Sequence, residues 1–82
     1  MGKRVLIIGG AGFIGTNLSK HLIKSNMEVF CFDMSVPAKK VEGVRYICGD
    51  FFDDYSLMEA LEGIDYVVHA LSTAVSYTHL RA

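Results

Sequence analysis

Between the aliphatic run Val5-Leu6-Ile7-Ile8 and a segment of helical periodicity lies Gly9-Gly10-Ala11-Gly12-Phe13-Ile14-Gly15, four glycines in seven residues. The run has the composition of a strand buried on both faces of a parallel sheet. From Gly12 onward Ile14, Leu18 and Leu22 recur every four residues, while Asn17, Ser19, Lys20 and Lys24 fall elsewhere. That spacing predicts an amphipathic helix, ending near Ser25-Asn26. A glycine turn joining a buried strand to a helix commits the chain to a strand-helix-strand unit with parallel strands.

The rest of the chain continues the alternation. Glu28 to Phe32 reads as a second strand closing on Asp33, and Val44 to Cys48 as a third closing on Gly49-Asp50. The link from Met34 to Gly43 holds the only proline and has room for one helical turn at most. Asp53 is placed to cap a second helix whose inner face is Leu57, Ala60 and Leu61, with Gly63 as its left-handed C-terminal residue. Ile64 to Ala70 returns as a fourth strand. The expected fold class is α/β: the N-terminal part of a doubly wound parallel sheet of the Rossmann type, strand order 3-2-1-4, with its switch point between strands one and four.

A glycine turn at that place suits a dinucleotide, whose pyrophosphate sits on the helix N-terminus. Gly9 permits the tight turn, Gly12 lets the backbone approach the phosphates, and Gly15 lets the helix pack against the strand. A nucleoside-triphosphate loop requires Gly-Lys-Ser/Thr entering the helix, and Thr16-Asn17 follow Gly15 instead. The competing reading is a glycine turn that binds nothing. Asp33, about 20 residues further on, is where a carboxylate accepts from the adenosine ribose hydroxyls. Its charge opposes a 2′-phosphate, which favours NAD over NADP, although Lys39 and Lys40 in the next loop are placed to compensate. As a plain residue, Asp33 would be a solvated turn aspartate.

Composition removes other classes. With eight Lys and Arg scattered along the chain and a net charge of −1, no basic stripe exists to follow nucleic acid. No apolar stretch approaches a membrane span, and Val5 to Ile8 is too short for a signal-peptide core. Cys31 and Cys48 lie in strand-like runs without CxxC spacing, so both are expected to be small buried hydrophobes in a reducing cytoplasm. No metal site is expected.

GGAGFIG, spaced GxxGxxG, resembles the glycine motif of the extended short-chain dehydrogenases, the NAD-dependent epimerases and dehydratases of nucleotide sugars. The resemblance covers residues 3 to about 74. It implies cofactor contacts from Gly9, Gly12, Phe13, Ile14 and Gly15, from Asp33 at the ribose, and from Asp50 at the adenine amino group with Phe51 beside the ring. It further implies that Ala70, Leu71 and Ser72, after His69, line the cofactor. Leu71-Ser72-Thr73 departs from the family's usual His-x-Ala-Ala, which leaves the subfamily open. His69 reads as a packed strand residue rather than a catalyst, and His21 as solvated.

In that family a Ser or Thr and a Tyr-x-x-x-Lys perform catalysis, and they are expected beyond this chain, so no catalytic residue is assigned here. Tyr77 and Arg81 share the spacing but come too early, and arginine replaces lysine poorly. Val75 to Ala82 resembles one reading frame of a transposon-end sequencing adapter, so 1–74 is expected to be a partial NAD-binding domain and 75–82 a non-native tail. With its fourth strand unpaired at the outer edge, the isolated chain is expected to be marginally stable or aggregation-prone, to bind NAD weakly and to turn nothing over.

The resemblance therefore implies a nucleotide-sugar epimerase or dehydratase as the parent, with a UDP-sugar 4-epimerase as the first choice, binding NAD and a nucleotide-sugar substrate; a cytoplasmic homodimer is the expected form. The rival reading is a non-catalytic NAD(P)-binding regulatory protein, which needs no Tyr-x-x-x-Lys.

Overall fold

A computed structural model describes residues 2–50 and 52–70, together with the backbone of 76–79. The aliphatic run forms β1 (Arg4–Ile8), in which Val5, Leu6, Ile7 and Ile8 are all buried. It is central because both faces of such a strand need cover, and each buried aliphatic side chain contributes about 1.5–3 kcal/mol. The periodic segment forms α1 (Phe13–Lys24), with Ser25 as its C-cap and Asn26 left-handed at φ 63°. The next strands are β2 (Glu28–Asp33) and β3 (Arg45–Cys48).

The second helix, α2 (Asp54–Leu61), begins at Asp53, whose carboxylate accepts from the Tyr55 amide at 3.1 Å. Gly63 follows its C-terminus with φ 75°, as the left-handed position there requires. Ile64 is buried ahead of the fourth strand, β4 (Tyr66–His69), which is shorter than its apolar pattern suggests.

β3, β2, β1 and β4 lie side by side in that order and all parallel. Ile8 is level with Phe32 on one side and His69 on the other. The helices take opposite faces. Ile14, Leu18, Leu22 and Ile23 of α1 pack on Val5, Ile7, Val29 and Cys31, whereas Leu57 and Leu61 of α2 pack with Ala60 on Leu6, Ile8, Phe32 and Val67. This is the doubly wound arrangement, with the switch point beside β1.

Three details correct the sequence reading. A further strand, β5 (Ser76–His79), pairs antiparallel with β4, so the outer edge of β4 is not open among the described residues. Its antiparallel pairing needs no crossover helix, and no periodicity marks it in the sequence. Cys31 is buried as expected, but Cys48 is exposed, because β3 is an edge strand with its C-terminal end uncovered. His69 is exposed rather than packed. No helix among the described residues is long and apolar enough to cross a membrane.

Candidate dinucleotide-binding site

The C-terminal ends of the parallel strands are tied into one rim by backbone bonds. The Gly9 amide donates to Phe32 O at 2.8 Å, the Ala70 amide to Ile8 O at 2.8 Å, and the Gly49 amide to Asp33 O at 3.0 Å. These bonds bring the glycine loop, Asp33, the Gly49-Asp50 step and Ala70 to a common edge at the switch point. Ligands of open α/β sheets bind at that place. Phe51, Leu71 and Ser72, the other expected contacts, lie outside the described residues.

Within the loop each glycine meets a different constraint. Gly9 has φ 86°, a conformation that side chains other than glycine rarely adopt. Gly15 is buried, and a Cβ there would lie 2.6 Å from Gly10 Cα, so the helix can approach the loop only without one. Gly12 has ordinary extended dihedrals, φ −78° and ψ 178°. A Cβ there would meet nothing nearer than Gly9 O at 3.8 Å. The protein itself does not require glycine at position 12, whereas a phosphate approaching the backbone does.

The N-terminus of α1 fits such an anion. Gly12 supplies no side-chain cap, the first turn carries no acidic residue, and the first bond back to the loop runs from the Thr16 amide to Gly12 O at 2.9 Å. The Phe13, Ile14 and Gly15 amides lie ahead of that bond, in the turn where a helix leaves its amides unpaired. α2 is the contrast, with Asp53 as its cap and Asp54 in its first turn. An anion at a helix N-terminus gains about 0.3–2 kcal/mol from the helix dipole, with hydrogen bonds from the amides in addition. Phe13, 84% exposed, flanks this end.

Asp33 is half-buried, and both of its oxygens are engaged. Oδ2 accepts from the Ala11 amide at 3.0 Å and Oδ1 from the Met34 amide at 2.7 Å. A carboxylate has about four acceptor positions, so the pinned group keeps capacity for a vicinal diol. Asp50 is exposed, and its Oδ1 accepts from the Phe52 amide at 2.9 Å. These residues suit the recognition of a phosphate and a ribose, and among the described residues no cluster of His, Cys, Asp or Glu could hold a metal.

Three supporting residues are not distinguished by the sequence pattern. A Cβ on Gly10 would lie 2.4 Å from Cys31 Sγ, and one on Gly49 2.6 Å from the Phe32 ring. Ser19, placed by periodicity on the polar side of α1, is fully buried: its hydroxyl donates to Gly15 O at 2.8 Å and lies 3.3 Å from Cys31 Sγ. Burial pushes the Cys31 thiol pKa up, partly offset by the Ser19 hydroxyl and reinforced by the Asp33 charge. The sequence shows a glycine at positions 10 and 49 but not what either packs against.

Residues 5–80 match the model of the NAD dependent epimerase/dehydratase family. The probable dTDP-glucose 4,6-dehydratase of Sinorhizobium fredii is 39% identical over 77 residues, covering 80% of this chain and 22% of that protein. The 2-alkyl-3-oxoalkanoate reductase of Stenotrophomonas maltophilia is 36% identical over 67 residues, covering 80% of this chain and 20% of that protein. Among solved structures, a UDP-glucose 4-epimerase superposes with TM-score 0.75 at 28% identity, covering 88% of this chain and 23% of that one. Two further structural neighbours, 30% and 35% identical, are complexes with NAD. The chain thus spans about a fifth of the length of these relatives. Its strand order, its glycine loop at the switch point and these matches place the chain, as a Rossmann-fold segment, in the NAD-dependent epimerase/dehydratase family.

Proposed function

We propose that these residues are the cofactor-binding portion of a nucleotide-sugar epimerase or dehydratase, and specifically of a UDP-sugar 4-epimerase. The observation that carries the cofactor reading is the uncapped α1 N-terminus beside Gly12, where the space a Cβ would take is open. Gly9, Gly12, Phe13, Ile14 and Gly15 hold the pyrophosphate through backbone amides and close approach. Asp33 accepts from the ribose diol and opposes a 2′-phosphate, while Asp50 with Phe51 receives the adenine and Ala70, Leu71 and Ser72 line the cofactor. NAD, when bound, supplies transient hydride acceptance from the sugar. The choice of a nucleotide sugar is supported by the dTDP-glucose and UDP-glucose enzymes among the similar proteins. The oxoalkanoate reductase marks the competing substrate class.

The same proposal makes the whole protein a cytoplasmic homodimer and divides the chain at Ala74, with 75–82 a foreign tail. Two experiments test it. Titration of the isotope-labelled chain with NAD should shift the Gly12, Phe13 and Ile14 amide resonances, and NADP should shift them less; no response to either removes the cofactor reading. The source DNA read past the Ala74 codon should continue into a Tyr-x-x-x-Lys. A natural stop after Ala82 would remove the enzyme reading and leave the binding module.

A further inference from the structure

Asp33 and the glycine loop are joined by a bond that the ribose-binding role does not require. Asp33 Oδ2 accepts from the Ala11 amide at 3.0 Å, across 22 residues of sequence, while Oδ1 accepts from the Met34 amide beside it at 2.7 Å. The Ala11 amide lies between Gly10, which fits against Cys31, and Gly12, where the backbone is open. Cys31 and Asp33 both belong to β2, so one strand fixes the loop twice: by steric contact at Gly10 and by a charged hydrogen bond at Ala11. Glycine-rich backbone loses much conformational freedom on ordering, and a loop that meets its ligand already ordered need not bear that cost on binding.

We propose that Asp33 is a positioning residue for the phosphate-binding loop, in addition to accepting from the ribose. This rests on the reading that the loop binds NAD. The carboxylate holds Ala11, and through it the Gly12 backbone, in the conformation that receives the pyrophosphate. The two amides in turn hold the carboxylate so that its remaining acceptor positions meet the diol. Replacing Asp33 therefore weakens the binding of a dinucleotide even when the ribose has no hydroxyls to offer.

The test compares wild type with Asp33→Ala in two readouts on the labelled 82-residue chain. In the first, without ligand, the Ala11 amide should exchange with solvent faster in the variant, while the core amides of β1 keep their protection. In the second, the variant should bind NAD about ten- to a hundredfold more weakly, the range for losing hydrogen bonds to a charged group. Against the NAD analogue with a 2′,3′-dideoxyadenosine ribose, a residual loss of about threefold or more should remain. Asp33→Asn has one carbonyl oxygen for two amides, and should fall between the others in both readouts; it carries the test alone if the alanine variant does not fold.

Equal binding of the dideoxy analogue by wild type and variant overturns the proposal whatever the Ala11 exchange, and so does unchanged Ala11 exchange in the variant. If wild type binds neither ligand, the NAD reading fails. Faster Ala11 exchange in the variant then still establishes the tether, and unchanged exchange removes it as well.

Discussion

Gly10 and Gly12 stand two places apart in one loop and answer to different demands. A Cβ on Gly10 enters the Cys31 side chain, so Gly10→Ala should destabilise the fold by about 1–3 kcal/mol, as overpacking does. Gly12→Ala meets only open space and should leave stability within about 0.5 kcal/mol while weakening NAD binding, because in the proposed site the new methyl takes the phosphate's place. Urea unfolding and an NAD titration on both variants separate the two effects, and a Gly12→Ala chain that unfolds more readily with full NAD affinity would reverse the assignment. The GxxGxxG spacing makes positions 9, 12 and 15 legible from sequence. Position 10 is not, because what it packs against lies a whole helix further along the chain. Ser19 escapes for a related reason: periodicity assigns a hydroxyl to solvent, and its partners Gly15 O and Cys31 Sγ allow burial. Cys31 adds a pH dependence. Its pKa is raised in the folded protein by burial, so the unfolded chain loses the thiol proton first as pH climbs past the ordinary value of 9.0. The stability of the neutral buried thiol is therefore complete below that value and is lost above it. Urea midpoints on either side of that pH should fall more steeply in wild type than in Cys31→Ala; equal slopes would mean the thiol does not contribute.

The two helices begin in opposite ways, and the difference separates folding from binding. α2 satisfies its own N-terminus through Asp53, which accepts from the Tyr55 amide and, on Oδ2, from the Ser56 hydroxyl at 2.9 Å. Asp53→Ala should cost about 0.5–2 kcal/mol of stability with no direct effect on NAD. α1 has neither cap nor acidic first turn. Phe13→Asp should stabilise α1 by about 0.3–1 kcal/mol through the helix dipole and weaken NAD by placing a negative charge beside the pyrophosphate. Thermal midpoint and affinity should thus move in opposite senses for Phe13→Asp, and a gain in both would show that no anion binds there. Both helices and the four parallel strands are legible as elements, the helices from their period and the strands from short apolar runs, each with a turn residue at its end. Burial at the strand termini is less legible. Cys48 and His69 follow apolar neighbours, yet both are exposed at the end of their strand, because alternation tells which face a residue takes and not whether anything covers it.

For the molecule as a whole, β5 settles an edge that the parallel sheet would otherwise leave open. β1 and β2 are flanked on both sides, whereas β4 has β1 on one side and on the other only the antiparallel pairing from Tyr66 opposite His79 to His69 opposite Ser76. Cover on the faces is uneven too: where α1 ends, Leu18, Leu22, Tyr66 and Val68 line an apolar groove toward the N-terminal ends of the strands. The 82 residues taken by themselves have little surplus stability, so in them the pairing of β4 weighs heavily. A chain ending at Ala74 loses every ladder bond to β5, at about 0.5–1.5 kcal/mol each, and exposes a strand edge that invites association. It should unfold at lower urea than the 82-residue chain and sediment as larger species at equal concentration. The origin of residues 75–82 is a separate matter, since a foreign tail of suitable strand propensity can shield an edge as well as a native one. If the two lengths unfold together and both stay monomeric, β5 contributes nothing in solution, and β4 itself must then be short enough to remain an unpaired edge without harm.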